Sequence, residues 1–201
     1  MNKLNNLISI VVPVYNESDS IRLLINEIIN VMKSHQLLFE LIIVNDGSVD
    51  RTSNVLENLS LEIKQLTVIN LRKNYGQTAA LAAGFDHSNG DIIVTLDGDL
   101  QNDPNDIPKL ITNINEGYDL ICGWRFQRKD KLLNRRIPSQ IANRLIGNVT
   151  GIHLHDYGCS LKAFKHEIIK DIKLYGELHR FLPVLANIEG AKIKEIKVNH
   201  R

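Results

Sequence analysis

The stretch ISIVVPVYNESDSIRLLINEII, residues 8–29, decides the fold class. It opens with an apolar, β-branched run over residues 8–14, which predicts a strand buried on both faces. A polar turn follows, and over residues 18–34 the apolar side chains recur at helical spacing. A buried strand that leads directly into an amphipathic helix is the unit from which parallel sheets are built.

The same alternation continues to residue 123. Further strands are predicted at 38–44, 66–71, 91–96 and 118–123, and further helices at 50–59, 77–86 and 106–116. This rhythm predicts an α/β fold with three layers, α/β/α, around a mostly parallel sheet. Ligands of such sheets bind beyond the carboxyl ends of the strands. The polar strand exits at 45–48 and 97–99 are therefore expected at one edge of the sheet.

Composition narrows the function classes. The chain has 24 Lys and Arg residues against 23 Asp and Glu residues, so no nucleic-acid partner is expected. The cysteines, Cys122 and Cys159, are far apart and are interpreted as buried thiols in a reducing compartment. Trp124 could stack on a ligand, but packing in the core is the favoured expectation. The longest apolar run, 37–44, is broken by Glu40 and is too short to span a bilayer.

The acidic turn in VTLDGDLQND, residues 94–103, is the strongest functional signal. Asp97 and Asp99 are separated only by Gly98, directly after a predicted buried strand. One aspartate there would be explained as a turn former. Two carboxylates favour a divalent ion, Mg²⁺ or Mn²⁺, held for a phosphorylated ligand, with Gln101 as a further oxygen donor.

The sequence also resembles the family 2 glycosyltransferases, and within them the polyprenyl-phosphate glycosyltransferases. This group includes dolichol-phosphate mannose synthase and the bacterial undecaprenyl-phosphate sugar transferases. The resemblance covers essentially the whole chain. It rests on stretches that occur in the order expected of the family: VVPVYNE (11–17), IVNDGSVDRT (43–52), RKNYGQTAALAAGF (72–85), LDGDLQNDP (96–104), GWRFQRKD (123–130), HDYGCSLKAF (155–164) and ELHRFLP (177–183).

The resemblance implies a GT-A-type nucleotide-sugar-binding fold and an inverting, metal-dependent sugar transfer. It places the nucleotide and donor at Pro13, Tyr15, Glu17, Asp46, Asp97, Gly98 and Asp99, and the metal at Asp99, Gln101 and Asp97. The chain departs from the family at Asn45, where many relatives carry an acid before Asp46. It also has Gly98 where many relatives have alanine, which is interpreted as a conservative loss of one methyl group.

The basic stretch 125–144 supplies candidates for the acceptor site. By resemblance, Arg125 and either Arg135 or Arg136 bind the acceptor phosphate, since arginine makes forked phosphate contacts. The alternative is a solvated basic face. The apolar stripe at 137–146 suits either an interfacial helix at an anionic membrane or a helix that packs on the core.

Three residues of the later motifs are further candidates. By resemblance, Asp156 lies near the acceptor as a catalytic base or a positioning group, and it joins Asp97, Asp99 and Arg125 as a predicted catalytic residue. The alternative for Asp156 is a turn or cap beside Gly158. His179 and Arg180 are predicted to contact phosphate. For Arg180 a surface salt bridge is an equally good interpretation.

These motifs predict an enzyme that moves a sugar from a nucleotide diphosphate, with UDP favoured by bacterial analogy, to a polyprenyl phosphate. The alternative is a related transferase that acts on a saccharide or protein hydroxyl with Asp156 as base. A nucleotide-binding module without catalysis is disfavoured by the intact acidic turn. The expected location is the cytoplasmic face of the cell membrane, and a homo-oligomer is left open.

The chain is expected to be one catalytic domain, residues 1–201. Residues 1–123 form its nucleotide-sugar-binding half and residues 124–201 its acceptor-binding half. Relatives often continue into membrane helices, so a C-terminal membrane segment is expected to be absent from this chain. The chain is therefore expected to bind donor better than it transfers sugar to lipid.

Overall fold

The computed structural model describes residues 6–126, 147 and 150–201. In these ranges seven strands form one sheet in the order β3-β2-β1-β4-β6-β5-β7. The strands are β1 (Ile8–Val14), β2 (Phe39–Asn45), β3 (Leu66–Asn70), β4 (Ile92–Thr95), β5 (Leu120–Arg125), β6 (Lys162–Lys165) and β7 (Ile193–Val198). Only β6 runs antiparallel to its neighbours, β4 and β5, so within the described ranges the sheet is mostly parallel, as predicted.

Helices cover both faces of the sheet. The helices are α1 (Ile21–Ser34), α2 (Thr52–Glu62), α3 (Gln77–Asp86), α4 (Ile107–Asn115), α5 (His166–Lys170) and α6 (Leu182–Ile188). Buried side chains of α1, α2 and α4 pack with one face of the sheet, and those of α3, α5 and α6 pack with the other. The predicted three-layer α/β/α arrangement is therefore confirmed.

The sequence located the first five strands within two residues at each end, and β1 and α3 match their predicted bounds. The central strands are buried along their whole length, because parallel strands between two helical layers meet apolar side chains on both faces. Both cysteines are buried, as predicted. In the ranges that the structure describes, no helix is both long enough and apolar enough to cross a membrane.

The register of the parallel strands brings the polar strand exits together. Val14, the last residue of β1, pairs with Asn45, the last residue of β2. β4 lies on the other side of β1, where Val11 pairs with Thr95, the last residue of β4. The turns that follow these strands therefore meet at one edge, which is where the sequence predicts a ligand.

Gly84 shows how closely α3 packs on this sheet. A Cβ atom at this position would lie 2.3 Å from Cγ1 of Val11 and 3.3 Å from Cγ2 of Val44. We expect Gly84→Ala to lower the free energy of unfolding by about 1–3 kcal/mol, because buried β1 leaves no room for the methyl group. Urea denaturation measures this change. At an exposed helical position, replacing glycine by alanine raises stability because alanine has the higher helix propensity. A more stable Gly84→Ala variant would therefore contradict the close packing.

Candidate active site

A cavity of about 270 Å³ opens at the carboxyl ends of β1, β2 and β4. Each residue that the sequence assigns to nucleotide and donor lines it: Pro13, Tyr15, Glu17, Asp46, Asp97, Gly98 and Asp99. These residues come from three separate turns of the chain. The structure therefore brings the predicted donor residues into one space, beside the N-terminal end of α3.

The acidic turn forms one wall of this cavity. Nε2 of Gln77, the first residue of α3, donates a hydrogen bond to Oδ1 of Asp97 at 2.6 Å. Asp99 is exposed, and its Oδ1 accepts a hydrogen bond from the backbone N–H of Gln101 at 3.0 Å. The two carboxylates thus differ, because one is fixed by the protein and the other faces solvent.

Gly98 is required by packing, which the sequence interpretation did not anticipate. A Cβ atom at residue 98 would lie 2.8 Å from Cγ1 of Val14, whose side chain is buried. Glycine in place of alanine therefore removes a methyl group that would collide with the end of β1. The acidic turn lies closer to β1 than an alanine at this position would allow.

Burial raises the pKa of Asp97 above its ordinary value of 3.8, and the negative charge of Asp99 adds to the effect. A hydrogen bond from the Ser160 side chain and the positive charges of Lys162 and Arg125 act in the opposite direction. The negative charge of Asp97 is therefore disfavoured both by its own burial and by the neighbouring carboxylate of Asp99. A bound cation would relieve this cost.

The donor set suits a hard divalent cation. Asp99, Asp97 and Gln101 offer carboxylate and amide oxygens, and Mg²⁺ typically takes one or two carboxylates and completes its shell with water and phosphate oxygens. Among the described residues, no group of three or more His, Cys, Asp and Glu side chains is arranged to hold a metal alone. A cation held at this turn would therefore need further oxygen ligands from water or from a bound ligand.

The C-terminal residues of the chain also approach the acidic turn, and sequence reasoning missed them. Nε2 of His200 lies 3.2 Å from Oε1 of Gln101. The backbone N–H of Arg201 donates to the carbonyl oxygen of Gln101 at 3.0 Å, and its guanidinium pairs with Glu27 and Asp103. These contacts fix Gln101 in place, and no sequence signal in the final four residues indicates them.

Asp46 has a structural task besides the predicted ligand contact. Its two carboxylate oxygens accept hydrogen bonds from the backbone N–H groups of Tyr75 and Gly76, at 2.7 and 2.8 Å. Gly76 adopts a positive φ of 92°, which glycine tolerates better than other residues. Asp46 therefore holds the loop that leads into α3 against the end of β2.

A larger polar cleft of about 760 Å³ adjoins the cavity, and Tyr15 and Asn74 line both spaces. Arg72 and Lys73 also line this cleft. These residues belong to the stretch RKNYGQT, residues 72–78, which carried the family resemblance but received no predicted role. The run of polar and basic residues immediately before an alanine-rich helix is the sequence feature that could have indicated a role for this stretch.

On the acceptor side, Arg125 and Asp156 form an ion pair. Nε of Arg125 donates to Oδ2 of Asp156 at 2.7 Å and Nη2 donates to Oδ1 at 2.9 Å. The two side chains are only 13% and 5% exposed. The backbone N–H of Asp156 donates to Glu195 at 2.9 Å, which anchors the loop. The loop that continues from Asp156 contacts residues on both sides of the acidic turn, because Oγ1 of Thr95 donates to the carbonyl oxygen of Ser160 at 2.7 Å and Nδ2 of Asn102 donates to its Oγ at 2.8 Å.

The remaining acceptor candidates are distributed differently. His179 and Arg180 lie on a 3₁₀ helix, Leu178–Phe181, where Arg180 is exposed. Nδ1 of His179 lies 2.7 Å from Oγ1 of Thr78 on α3, so His179 faces the helix that borders the cavity. Arg135, Arg136 and the stripe at 137–146 lie outside the described residues.

Burial lowers the pKa of His179 below its ordinary value of 6.5, and the positive charge of Arg180 lowers it further. Glu177 opposes this shift. The unfolded chain therefore binds a proton at a higher pH than the folded chain does. We expect the free energy of unfolding to fall as the pH drops through 6.5 towards the lowered pKa, and to be unaffected by this group above that range.

Urea denaturation of the protein and of His179→Asn between pH 5 and 8 tests this expectation. The difference in stability between the two proteins should shift in favour of His179→Asn as the pH falls. His87→Asn, at the exposed end of α3, is the control for loss of an imidazole. A difference that stays constant with pH would refute the lowered pKa of His179.

Comparison with curated proteins gives close matches. The chain is 46% identical over 197 residues to the dodecaprenyl-phosphate galacturonate synthase of Rhizobium johnstonii, covering 96% of this chain and 58% of that protein. It is 40% identical over 196 residues to the undecaprenyl-phosphate 4-deoxy-4-formamido-L-arabinose transferase of Shewanella sediminis, covering 97% and 59%. The chain thus spans somewhat more than half the length of these relatives.

Solved structures share the fold at lower sequence identity. The glucosyl-3-phosphoglycerate synthase of Mycobacterium tuberculosis superposes with a TM-score of 0.74 at 20% identity, covering 98% of this chain and 72% of that one. A mannosyltransferase of Pyrobaculum calidifontis, solved with GDP-mannose and Mn²⁺, gives 0.69 at 17% identity and covers 97% and 56%. These matches establish the architecture.

The mixed sheet between two helical layers is the GT-A fold of glycosyltransferases. Within that class, the family model for glycosyl transferase family 2 matches residues 9–173, and the chain belongs to this family.

Proposed function

We propose that the protein transfers a sugar from a nucleotide diphosphate to a polyprenyl phosphate, with inversion at the anomeric carbon and with Mg²⁺ or Mn²⁺ bound. The observation that carries this proposal is the Arg125–Asp156 ion pair, whose loop contacts the residues on both sides of the Asp97–Asp99 turn. A fixed guanidinium and an acidic turn suit a site that holds two phosphorylated substrates. The names of the curated relatives support a lipid phosphate as acceptor.

The donor occupies the 270 Å³ cavity in this proposal. Pro13, Tyr15, Glu17 and Asp46 hold the nucleotide, and Asp97, Gly98 and Asp99 face its diphosphate. Asp99, Gln101 and Asp97 would hold the metal ion, which supplies positive charge to the departing nucleotide diphosphate. UDP is the proposed nucleotide, on the analogy with bacterial relatives.

The acceptor phosphate binds at Arg125 in this proposal. A phosphate is already an anion at neutral pH, so it can attack the sugar without a base that removes a proton. Asp156 restricts the guanidinium of Arg125 before the substrate arrives, which lowers the entropic cost of binding. Arg135, Arg136, His179 and Arg180 are proposed as further contacts to phosphate, with Asp97, Asp99, Asp156 and Arg125 at the reacting centre.

Transfer to a saccharide or protein hydroxyl is the alternative, and it would need Asp156 as general base. Both carboxylate oxygens of Asp156 accept hydrogen bonds from Arg125. This geometry suits a group that positions its neighbour, and it favours the phosphate acceptor over the hydroxyl.

The proposal also includes where the enzyme works and which part of the chain binds each substrate. A polyprenyl phosphate is confined to a membrane, so the enzyme works at a membrane surface, and we propose the cytoplasmic face. Residues 1–123 form the donor half and residues 124–201 the acceptor half of one catalytic domain. The single sheet contains strands from both halves, which supports treating them as one folding unit.

Thermal unfolding with UDP or GDP, each with and without Mn²⁺, tests the donor site. A ligand that binds only the folded state stabilises it by about 2.7 kcal/mol at one hundred times its dissociation constant. We expect stabilisation by UDP that depends on Mn²⁺. If GDP stabilises the protein and UDP does not, the donor nucleotide is GDP and the proposal of UDP is wrong. If neither nucleotide stabilises the protein, the proposed donor site is overturned.

A further inference from the structure

The end of β5 carries a cluster of rings and a cation that the proposed reaction does not use. The rings of Trp124 and Phe126 meet edge to face, with centroids 5.0 Å apart. Trp124 also stacks on His155 at 4.0 Å, with planes 14° apart. Nζ of Lys197 on β7 lies 3.7 Å from the centroid of Phe126 and 5.4 Å from that of Trp124. We call Trp124, Phe126, His155 and Lys197 the aromatic patch.

The aromatic patch is at the surface, contrary to the expectation that Trp124 packs in the core. Phe126 is 50% exposed, the side chain of His155 is 63% exposed, and Trp124 is only half-buried. By contrast, the preceding residues of β5, from Leu120 to Gly123, are buried. The exposed rings of Trp124 and Phe126 contribute less to core packing than Leu120 to Gly123 do. A cluster of exposed apolar side chains often marks an interaction surface.

The aromatic patch lies next to the proposed acceptor site. Arg125 stands between Trp124 and Phe126 in the chain, and its partner Asp156 follows His155 directly. Glu195 accepts hydrogen bonds from Nδ1 and the backbone N–H of His155 and from the backbone N–H of Asp156. The patch and the ion pair are therefore fixed to each other through one loop.

The chemistry of the patch matches the surface of an anionic bilayer. Tryptophan is enriched at membrane–water interfaces, and lysine extends its charge to the headgroups while its hydrocarbon stem covers apolar surface. The charge of the neighbouring sequence has the same sign. From Phe126 the chain continues as QRKDKLLNRR, residues 127–136, in which five basic residues stand against one acidic residue. Clustered basic residues strengthen attraction to anionic lipids.

We propose that the aromatic patch docks on the headgroup layer of an anionic lipid bilayer, with Trp124 and Phe126 at headgroup depth. Docking through this patch would place the end of β5, which carries Arg125, beside the bilayer surface. The biological reason for this docking rests on the proposed function, in which the acceptor is a lipid. The docking itself can be measured without any sugar transfer.

Trp124 is the only tryptophan of the chain, so its fluorescence reports on the patch alone. We would titrate the chain with phosphatidylcholine vesicles that contain or lack phosphatidylglycerol, and with vesicles whose acyl chains are brominated near the headgroup. We expect a blue shift with anionic vesicles, quenching by the brominated lipid, and much weaker effects with phosphatidylcholine alone. Inorganic phosphate should leave the spectrum unchanged.

Lys197→Glu and Phe126→Ser are the test variants. Loss of one lysine near the surface weakens vesicle binding roughly fivefold, and a reversed charge weakens it further. Lys64→Glu is the matched control, because exposed Lys64 precedes β3 at the opposite side of the sheet. It should bind vesicles nearly as well as the parent chain.

Other outcomes would overturn the assignment. Vesicle binding without a change in Trp124 emission would place the membrane contact elsewhere on the chain. A blue shift caused by inorganic phosphate would indicate a phosphate site in place of a lipid surface. No binding to any vesicle would also reject the patch. Since UDP binding is measured on the same preparation, a failure of the proposed donor site would be recognised separately.

Discussion

Replacing Asp99 by asparagine is expected to abolish metal-dependent UDP binding and to lower sugar transfer by more than about 100-fold. Replacing a residue that hydrogen-bonds to a metal ligand typically lowers metal affinity or activity by about 10–100-fold, and replacing the ligand itself should lower them more. The carboxylate of Asp99 is exposed and accepts a hydrogen bond from Gln101 within its own turn. The substitution should therefore leave the folded structure unchanged.

Isothermal titration of UDP with and without Mn²⁺ measures this effect. Asp86→Asn is the matched control, because Asp86 is an exposed acid at the far end of α3, away from the cavity. It should bind UDP as the parent chain does. Mn²⁺-dependent binding that survives in Asp99→Asn would show that the metal is held by other residues.

Replacing Asp156 by asparagine should lower transfer to the lipid by roughly 100-fold, since misplacing a catalytic group by about 1 Å has an effect of this size. UDP binding should be unchanged. The side chains of Arg125 and Asp156 are largely buried. Removing one partner of such a pair lowers stability by about 3–5 kcal/mol. Circular dichroism and UDP binding on the same sample therefore verify that the variant is folded.

The pH dependence of the rate separates the two roles of Asp156. If Asp156 only positions Arg125, the variant Asp156→Asn should be slower at every pH, and the shape of its pH–rate profile should match that of the parent protein. If Asp156 is a general base, the rate of the parent protein should fall at low pH as Asp156 is protonated, and this acidic limb of the profile should be missing in Asp156→Asn. Arg125→Lys is the companion variant, because it keeps the charge but loses the forked contact to Asp156. Loss of the acidic limb would favour the hydroxyl acceptor.

The donor side of the site was predictable because its residues follow buried strands. The apolar runs of β1, β2 and β4 fix where each strand ends, and parallel strands gather their carboxyl ends at one edge. The position of Asp97 relative to Asp46 then follows from topology. The hydrogen bond between Gln77 and Asp97 was not predictable, because it joins side chains from two elements whose relative depth depends on packing.

The acceptor side was less predictable. β6 (Lys162–Lys165) is only four residues long, and β7 (Ile193–Val198), an edge strand, carries three charged residues that interrupt its apolar pattern. The Arg125–Asp156 pair joins the end of β5 to a loop residue 31 positions further along the chain, and no sequence pattern indicates that contact. The need for Gly98 beside Val14 likewise appears only once β1 and β4 are adjacent.

Direct identification of the product tests the central proposal. The natural protein would be incubated with UDP-sugars, Mn²⁺ and undecaprenyl phosphate, and the lipid fraction analysed by mass spectrometry and by NMR at the anomeric carbon. We predict a glycosyl phosphate lipid with the anomeric configuration opposite to that of the donor. Sugar found on a saccharide or protein hydroxyl, with the lipid phosphate unchanged, would contradict the proposed function.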